Sequence, residues 1–129
     1  METIVELLQK HPDLICGTGA SDSAIEVAEK ELGLKFAPDY KLYLRKFGLV
    51  AFDGRELTGL GAANHVNVVT VTKNLRENSC EIPTDFYVIE ETGIDGLTIF
   101  QNSEGHIYQS FFNGKPERIY NSLYEYLAH

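Results

Sequence analysis

The stretch from Ser23 to Gly48 contains the densest series of helix start and stop signals in the chain. Ser23 and Glu26 have the spacing of a capping box, in which each side chain satisfies a free backbone N–H of the first helical turn. Gly33 follows where a helix can end in the left-handed conformation. Pro38 suits the first position of a second helix, which Gly48 closes. The stretch therefore predicts two helices joined by a short elbow, against which the remaining chain must pack.

The second of these helices has a single apolar face. Its basic residues lie off this face and gather in the last turn, where the helix dipole favours cations. We expect the apolar residues to pack in the core rather than to bind a partner: Tyr40, Tyr43, Leu44 and Phe47.

Regular structure is also predicted on both sides of this helix pair. An amphipathic pattern predicts a short helix over 2–9, and the spacing of Leu123, Tyr126 and Leu127 predicts a closing helix over 121–128, capped by Asn121 or Ser122. The β-branched run 67–72 is typical of a strand. Further strand-like runs are 49–52, 86–89, 97–100 and 107–112. Glycine-containing segments typical of turns follow or separate them: Asp53-Gly54, 92–96, 103–105 and Asn113-Gly114. The segments 92–96 and 103–105 predict hairpin turns of an antiparallel meander.

This order of elements predicts an α+β fold. Helices come first, an antiparallel meander of strands follows, and a helix closes the chain. The chain has 129 residues, 43% of them hydrophobic, which suffices for one core. We therefore expect a single domain over 1–129, with N-terminal helices, including the helical hairpin, packed on an antiparallel or mixed sheet.

The helix pair resembles the start of the SUKH superfamily, the Smi/Knr-like domains. Two positions differ from the usual pattern: Ala37 separates the apolar Phe36 from Pro38, and Phe47-Gly48-Leu49 replaces Asn-Gly-Gly. Segments 57–60, 82–86 and 95–108 are similar to later landmarks of the superfamily. The positions in the helix pair that match are Ile25, Glu26, Glu29, Leu32, Gly33, Phe36, Asp39, Tyr40, Lys41 and Leu44.

The resemblance implies a protein-binding role. Bacterial members of the superfamily commonly act as immunity proteins that bind and neutralise polymorphic or contact-dependent toxins, often nucleases. Other members are regulatory or scaffolding modules in fungi and bacteria. The resemblance thus leaves two functions open, toxin neutralisation and a protein-interaction adaptor.

The distribution of charge favours a basic partner. The net charge is −8 and the pI is near 4.9, which argues against direct nucleic-acid binding. Residues 77–114 contain no Lys or Arg, so this segment is either made soluble by its carboxylates or presents them to a basic protein. Neighbouring aromatic residues are candidate anchors: Tyr87, Phe100, Tyr108 and Phe112. The seven acidic residues are Glu77, Glu81, Asp85, Glu90, Glu91, Asp95 and Glu104.

We expect the binding residues in two groups. If a cleft separates the helical hairpin from the sheet, the loop 52–61 forms its rim, with Asp53, Arg55 and Glu56 as contacts. The second group comes from the acidic segment. The expected partner is a cognate toxin, a basic nuclease domain, and the protein is expected to be a monomer or a weak homodimer. The second group consists of Glu90, Glu91, Asp95 and Glu104.

Several other classes of function are disfavoured by the sequence. The four histidines lack the spacing of metal ligands, so we expect no metal, no cofactor, no catalytic residue and no enzymatic activity. Gly17 and Gly19 precede a helix, but the Lys-Ser/Thr of a P-loop is missing. With no apolar run of about 18 residues we expect no membrane span. A cytoplasmic location is expected, with Cys16 and Cys80 as free thiols.

Overall fold

The structure is a computed structural model that describes residues 2–61, 66–78, 81–112 and 114–128. Over these ranges the chain forms five helices and two antiparallel sheets, of three and four strands, which confirms the predicted α+β class and the closing helix. The helices are α1 (Ile4–Gln9), α2 (Asp22–Leu32), α3 (Pro38–Phe47), α4 (Val68–Asn78) and α5 (Leu123–Ala128). The strands are β1 (Ile15–Cys16), β2 (Val50–Phe52), β3 (Arg55–Glu56), β4 (Tyr87–Glu91), β5 (Leu97–Gln101), β6 (Ile107–Phe111) and β7 (Glu117–Tyr120).

The helical hairpin forms as predicted, except at its start. Ser21 caps α2, because its Oγ accepts the N–H of Ala24 at 3.1 Å. The predicted capping box of Ser23 and Glu26 is therefore wrong, since the chain is already helical at Ser23. Gly33 ends α2 with a φ of 68°, in the left-handed conformation that glycine adopts without strain.

A capping box is found instead on α1. The hydroxyl of Thr3 accepts the N–H of Glu6 at 3.2 Å, and the Glu6 carboxylate accepts the N–H of Thr3 at 3.1 Å. The buried residues Ile4 and Leu8 lie one turn apart and fix α1 on the core.

Strands β4 and β5 of the four-stranded sheet are covered on both faces. Successive residues of a strand point to opposite faces, and here both sets are buried. Tyr87 and Ile89 join the larger core with α1, α2, α3 and α5, whereas Val88 and Phe100 join a second cluster with α4. Burial on both faces explains why β4 reads as a continuous apolar run rather than as an alternating one.

The prediction of a strand over 67–72 is wrong, because these residues lie at the start of α4. The Asn67 carboxamide accepts the backbone N–H groups of Val69 and Thr70, as a helix N-cap does. The buried residues of α4 recur at helical spacing, so packing against β4 overrides the weak preference of β-branched residues for strands. These buried residues are Val68, Val71, Thr72 and Leu75.

Two further parts of the fold bear on the predictions. Strand β7 was not predicted and forms one edge of the four-stranded sheet, whose order is β4-β5-β6-β7. The thiol of Cys16 is free and exposed, as expected. Cys80, Asn113 and the histidines His65 and His129 lie outside the described residues.

The glycine-containing segment before α2 is explained by packing. A Cβ at position 19 would lie 2.0 Å from the carbonyl oxygen of Arg45 on α3. Only glycine allows the backbone to approach α3 this closely. Gly19 thus serves the fold, and its presence needs no bound phosphate to explain it.

A buried chain of hydrogen bonds ties α3 to the sheet and to α5. The N–H of Ala37 donates to the Tyr87 hydroxyl at 2.9 Å, and that hydroxyl donates to Gln101 Oε1 at 2.7 Å. The amide nitrogen of Gln101 donates to Asp39, and the other oxygen of Asp39 accepts the N–H of Leu123, each at 3.0 Å. Because proline has no N–H, the first link depends on position 37 being a residue other than proline.

Candidate binding surface

The space between the helical hairpin and the sheets is filled with side chains. The hydroxyl of Tyr43 donates to the carbonyl oxygen of Thr58 at 2.7 Å, and that of Tyr40 lies 2.9 Å from the Thr58 hydroxyl. The backbone N–H of Thr58 in turn donates to the carbonyl of Ile89 at 2.9 Å and joins the two sheets. The cleft expected at this place is thus occupied by the core, and the rim residues of the prediction lie on β2, β3 and their turn instead.

Arg55 and Glu90 form a partly buried ion pair. The Glu90 carboxylate accepts Nη2 of Arg55 at 2.8 Å and Nε at 3.1 Å, and it also accepts the hydroxyl of Tyr126 at 2.6 Å. The guanidinium lies over the rings of Phe52 and Tyr126, at 5.1 and 5.5 Å from their centroids. Glu90 is only 3% exposed. The pair therefore joins β3 and β4 to α5, and Glu90 does not contribute to the accessible acidic surface.

Arg55 and Tyr126 each keep a single protonation state near neutral pH. The hydrogen bond to Glu90 raises the pKa of Arg55 above its usual value. Burial, followed by the hydrogen bond to the Glu90 carboxylate, raises the pKa of Tyr126. Arg55 stays charged and Tyr126 stays neutral, so the arrangement is a fixed structural link.

Four other carboxylates lie exposed at one end of the sheets, which we call the acidic end: Asp53, Glu56, Glu91 and Asp95. Asp53 lies in the turn between β2 and β3, and Glu56 lies on β3. The ion pair between Arg55 and Glu90 holds β3 beside the last residues of β4. Glu91 ends β4, and Asp95 follows in the β4–β5 turn. The fold thus brings together residues about 40 positions apart in the chain, drawn from both groups of predicted contacts.

Glu104 does not belong to the acidic end. It lies in the β5–β6 turn, at the other end of the sheet. A strand of five residues at about 3.3 Å per residue separates the two turns by about 16 Å. The predicted acidic residues therefore do not form one surface, because consecutive hairpin turns lie at opposite ends of a meander.

Exposed apolar side chains lie beside these carboxylates. Ile94, Phe111 and Phe112 are 65%, 50% and 77% exposed. Leu97, three residues after Ile94, pairs with Phe111 across the β5–β6 ladder, so the β4–β5 turn and the end of β6 are neighbours. Phe112 is held there by its N–H, which donates to the carbonyl of Gly96 at 2.9 Å, and its ring packs over that glycine.

Among the aromatic residues predicted as anchors, only Phe112 is largely exposed. Tyr87 and Phe100 are fully buried in the two core clusters. Tyr108 is half-buried, with its ring 4.4 Å from that of Phe86. Strand alternation alone could not assign these roles, because β4 and β5 are covered on both faces whereas β6 is not.

A shallow depression of about 310 Å³ lies next to the acidic end on the three-stranded sheet. Its lining brings together the predicted rim residues Asp53, Arg55 and Glu56 with Asp13 and the exposed Ile15. Because its charged residues are mostly carboxylates, the depression extends the acidic character of this end.

A protein-family model matches the whole chain. The family model SUKH_5, described as SMI1-KNR4 cell-wall, matches residues 1–129. The chain belongs to the SUKH_5 family. The resemblance of the helix pair to the SUKH superfamily is thereby confirmed. No curated protein matches the chain closely enough to be reported as a relative.

Several SUKH positions in the helix pair have clear structural roles. The buried carboxylate of Glu29 accepts the N–H of Phe36 at 2.9 Å and so fixes the elbow between α2 and α3. Asp39 caps α5 through Leu123, and Tyr40 is in the core. These positions of the SUKH_5 protein thus build the fold, and the acidic end lies on other elements.

Some features of this surface were missed by sequence reasoning. The exposure of Ile94 and Phe111 has no local signal, because apolar residues in strands and turns are usually assigned to the core. His11, Asp13 and Asp53 lie close enough for their ligand atoms to fall within 4.8 Å of one another, although Asp53 is 40 residues from Asp13. In the described parts of the chain, no helix is long and apolar enough to cross a membrane.

Proposed function

We propose that this SUKH_5 protein is an immunity protein that binds and neutralises a basic toxin domain, of the nuclease type, and that the acidic end is the contact surface. One observation carries the proposal: four exposed carboxylates and three exposed apolar side chains lie at the same end of the molecule. Protein interfaces combine apolar anchors with a charged rim in this way.

The charge of the acidic end suits a nuclease as partner. A nuclease is basic where it holds nucleic acid, so the carboxylates of the acidic end attract it over several ångströms and accelerate association. The ion pair of Arg55 with Glu90 is neutral overall and leaves this field in place. Lys115 is exposed between β6 and β7 and is one basic residue on this side of the sheet.

The apolar residues would supply most of the binding energy. Aromatic side chains that become fully buried at the centre of an interface commonly contribute about 2 kcal/mol or more each. Phe112 is the best candidate, because its backbone hydrogen bond to Gly96 holds it in position before the partner arrives. Exposed carboxylates at a rim mainly change the association rate.

The proposal is tested by capture and then by a binding series. The tagged protein is used to capture partners from its own cells at low and high salt, and one basic protein that is released by salt is expected. The association rate of the purified partner is then measured with the Glu91→Lys and Asp95→Lys variants. Each substitution should slow association about tenfold or more. Glu104→Lys is the matched control, because it reverses the same charge at the opposite end of the sheet. Equal effects of all three substitutions would reject the acidic end as the contact surface.

A second function is a protein-interaction adaptor of the Smi/Knr type, which the description of the matched family favours. The two functions differ in what binding does to the partner. Loss of nuclease activity of the captured protein on binding supports immunity, whereas binding to several unrelated proteins, or binding without inhibition, supports the adaptor.

A further inference from the structure

We propose that His11, Asp13 and Asp53 form a binding site for a divalent transition metal ion such as Zn²⁺. His11 and Asp13 lie in the loop between α1 and β1, and Asp53 lies in the β2–β3 turn. One ligand atom from each lies within 4.8 Å of the other two. This inference does not depend on the proposed toxin partner.

The distances suit a small ion with mixed nitrogen and oxygen ligands. His11 Nδ1 lies 3.4 Å from Asp53 Oδ2. Ligand atoms about 2.0–2.2 Å from a tetrahedral zinc ion are about 3.4 Å apart, so this pair already has the required separation. The Asp13 carboxylate is exposed and its ligand atom lies within 4.8 Å of the other two, so a small adjustment of its side chain completes the set.

The ligands are held in place by contacts that do not depend on a metal. The His11 ring packs on Phe52, with 4.4 Å between ring centroids, and its side chain is only 27% exposed. The Asp13 carboxylate accepts the backbone N–H of Asp53 at 2.7 Å. Because these contacts restrict the His11 and Asp13 side chains before an ion binds, less conformational entropy is lost on binding.

The two basic side chains next to this site in the sequence do not pair with its carboxylates. The basic residues next to the site in the sequence pair elsewhere, Lys10 with Glu2 and Arg55 with Glu90. His11 is the group that faces Asp53, and it bears a positive charge only when protonated. A bound divalent cation would offset both carboxylates, while His11 would bind it as the neutral imidazole.

The donor set selects the class of ion. One imidazole and two carboxylates favour Zn²⁺, Co²⁺ or Ni²⁺ over Ca²⁺ and Mg²⁺, which prefer oxygen ligands alone. Asp13 and Asp53 also line the open depression on the three-stranded sheet, through which an ion can enter. Three protein ligands leave at least one coordination position for water or for a side chain of another molecule.

The test is a calorimetric titration of chelator-treated protein with Zn²⁺, in a background with both cysteines replaced by serine. Binding that saturates at one ion per chain is expected, and Mg²⁺ should not compete. His11→Ala and Asp53→Asn should each weaken binding at least tenfold. Asparagine also tolerates the positive φ of 49° at position 53, so the turn is retained. His106→Ala and Glu91→Gln are matched controls that should leave the affinity unchanged.

A second measurement locates the ion independently of these variants. Amide resonances of His11, Asp13 and residues 52–54 should shift on addition of Zn²⁺, with those of the β5–β6 turn unchanged. The proposal is overturned if no saturable binding occurs, if His11→Ala and Asp53→Asn bind as the parent does, or if the shifts occur elsewhere.

Discussion

Alkaline pH should unfold this protein cooperatively, because three tyrosines are buried in the core in their neutral form. Tyr40, Tyr43 and Tyr87 are each at most 1% exposed. Burial raises the pKa of all three above the usual value for tyrosine. In the unfolded chain the same side chains ionise near pH 10, since nothing there disfavours the phenolate.

The sign and size of the effect follow from linkage. Above about pH 10 the unfolded chain releases protons that the folded chain retains, so the free energy of unfolding falls as pH rises. Three tyrosines give a limiting slope of about 4 kcal/mol per pH unit and a total loss of about 8 kcal/mol at pH 12. A domain with a stability of about 5 kcal/mol would therefore unfold near pH 11, and one with a stability of about 10 kcal/mol would unfold near pH 12.5. Below pH 10 the contribution is fully present.

The assay combines two signals on the same samples. Tyrosinate absorbance reports ionisation, and far-UV circular dichroism reports unfolding, which suits a chain that contains no tryptophan. The buried fraction of the seven tyrosines should ionise only as the dichroism is lost. Urea unfolding at several pH values above 10 should also give a slope that is about 1.4 kcal/mol per pH unit smaller for Tyr43→Phe than for the parent. An unchanged slope in Tyr43→Phe, or complete ionisation near pH 10 with the dichroism intact, would refute the reasoning.

Three further predictions follow from the contacts in the core and at the acidic end. Tyr87→Phe removes the hydrogen-bond partner of the buried Ala37 N–H and of Gln101. Urea unfolding should show a free energy of unfolding lower by about 1–3 kcal/mol, and a loss below about 0.5 kcal/mol would show that these hydrogen bonds do not stabilise the fold. Glu90→Gln should lower the free energy of unfolding by about 3 kcal/mol, because Arg55 is left partly buried without its counter-charge. A double-mutant cycle with Arg55→Met should give a coupling energy of about 1–3 kcal/mol, and additive losses would show that the pair contributes nothing. Phe112→Ser should leave the melting temperature within about 2 °C of the parent while it weakens binding of the captured partner, so a large loss of stability would place Phe112 in the core instead.

Features that depend on neighbours in the chain were predictable. Gly33 and Pro38 mark the end of α2 and the start of α3, because backbone conformation at a helix terminus is set by one or two residues. The hairpin turns around Gly96 and Gly105 were predicted for the same reason. The apolar stripe of α3 was also correct, since helical spacing places its residues on one face whatever they pack against.

Features that depend on distant residues were not predictable. The segment 67–72 is β-branched, and it becomes helical because Val68, Val71 and Leu75 gain a buried surface against the sheet. Glu90 looked like a surface carboxylate until Arg55, 35 residues earlier, was placed beside it.

The acidic end likewise exists only in three dimensions. The sequence supplied its carboxylates and the excess of negative charge, because composition fixes net charge without regard to fold. It could not show that Asp53 lies with Glu91 and Asp95 while Glu104 lies at the far end. That arrangement is decided by the joining of the two sheets and by the direction of each strand, which depend on hydrogen bonds between segments far apart in the chain.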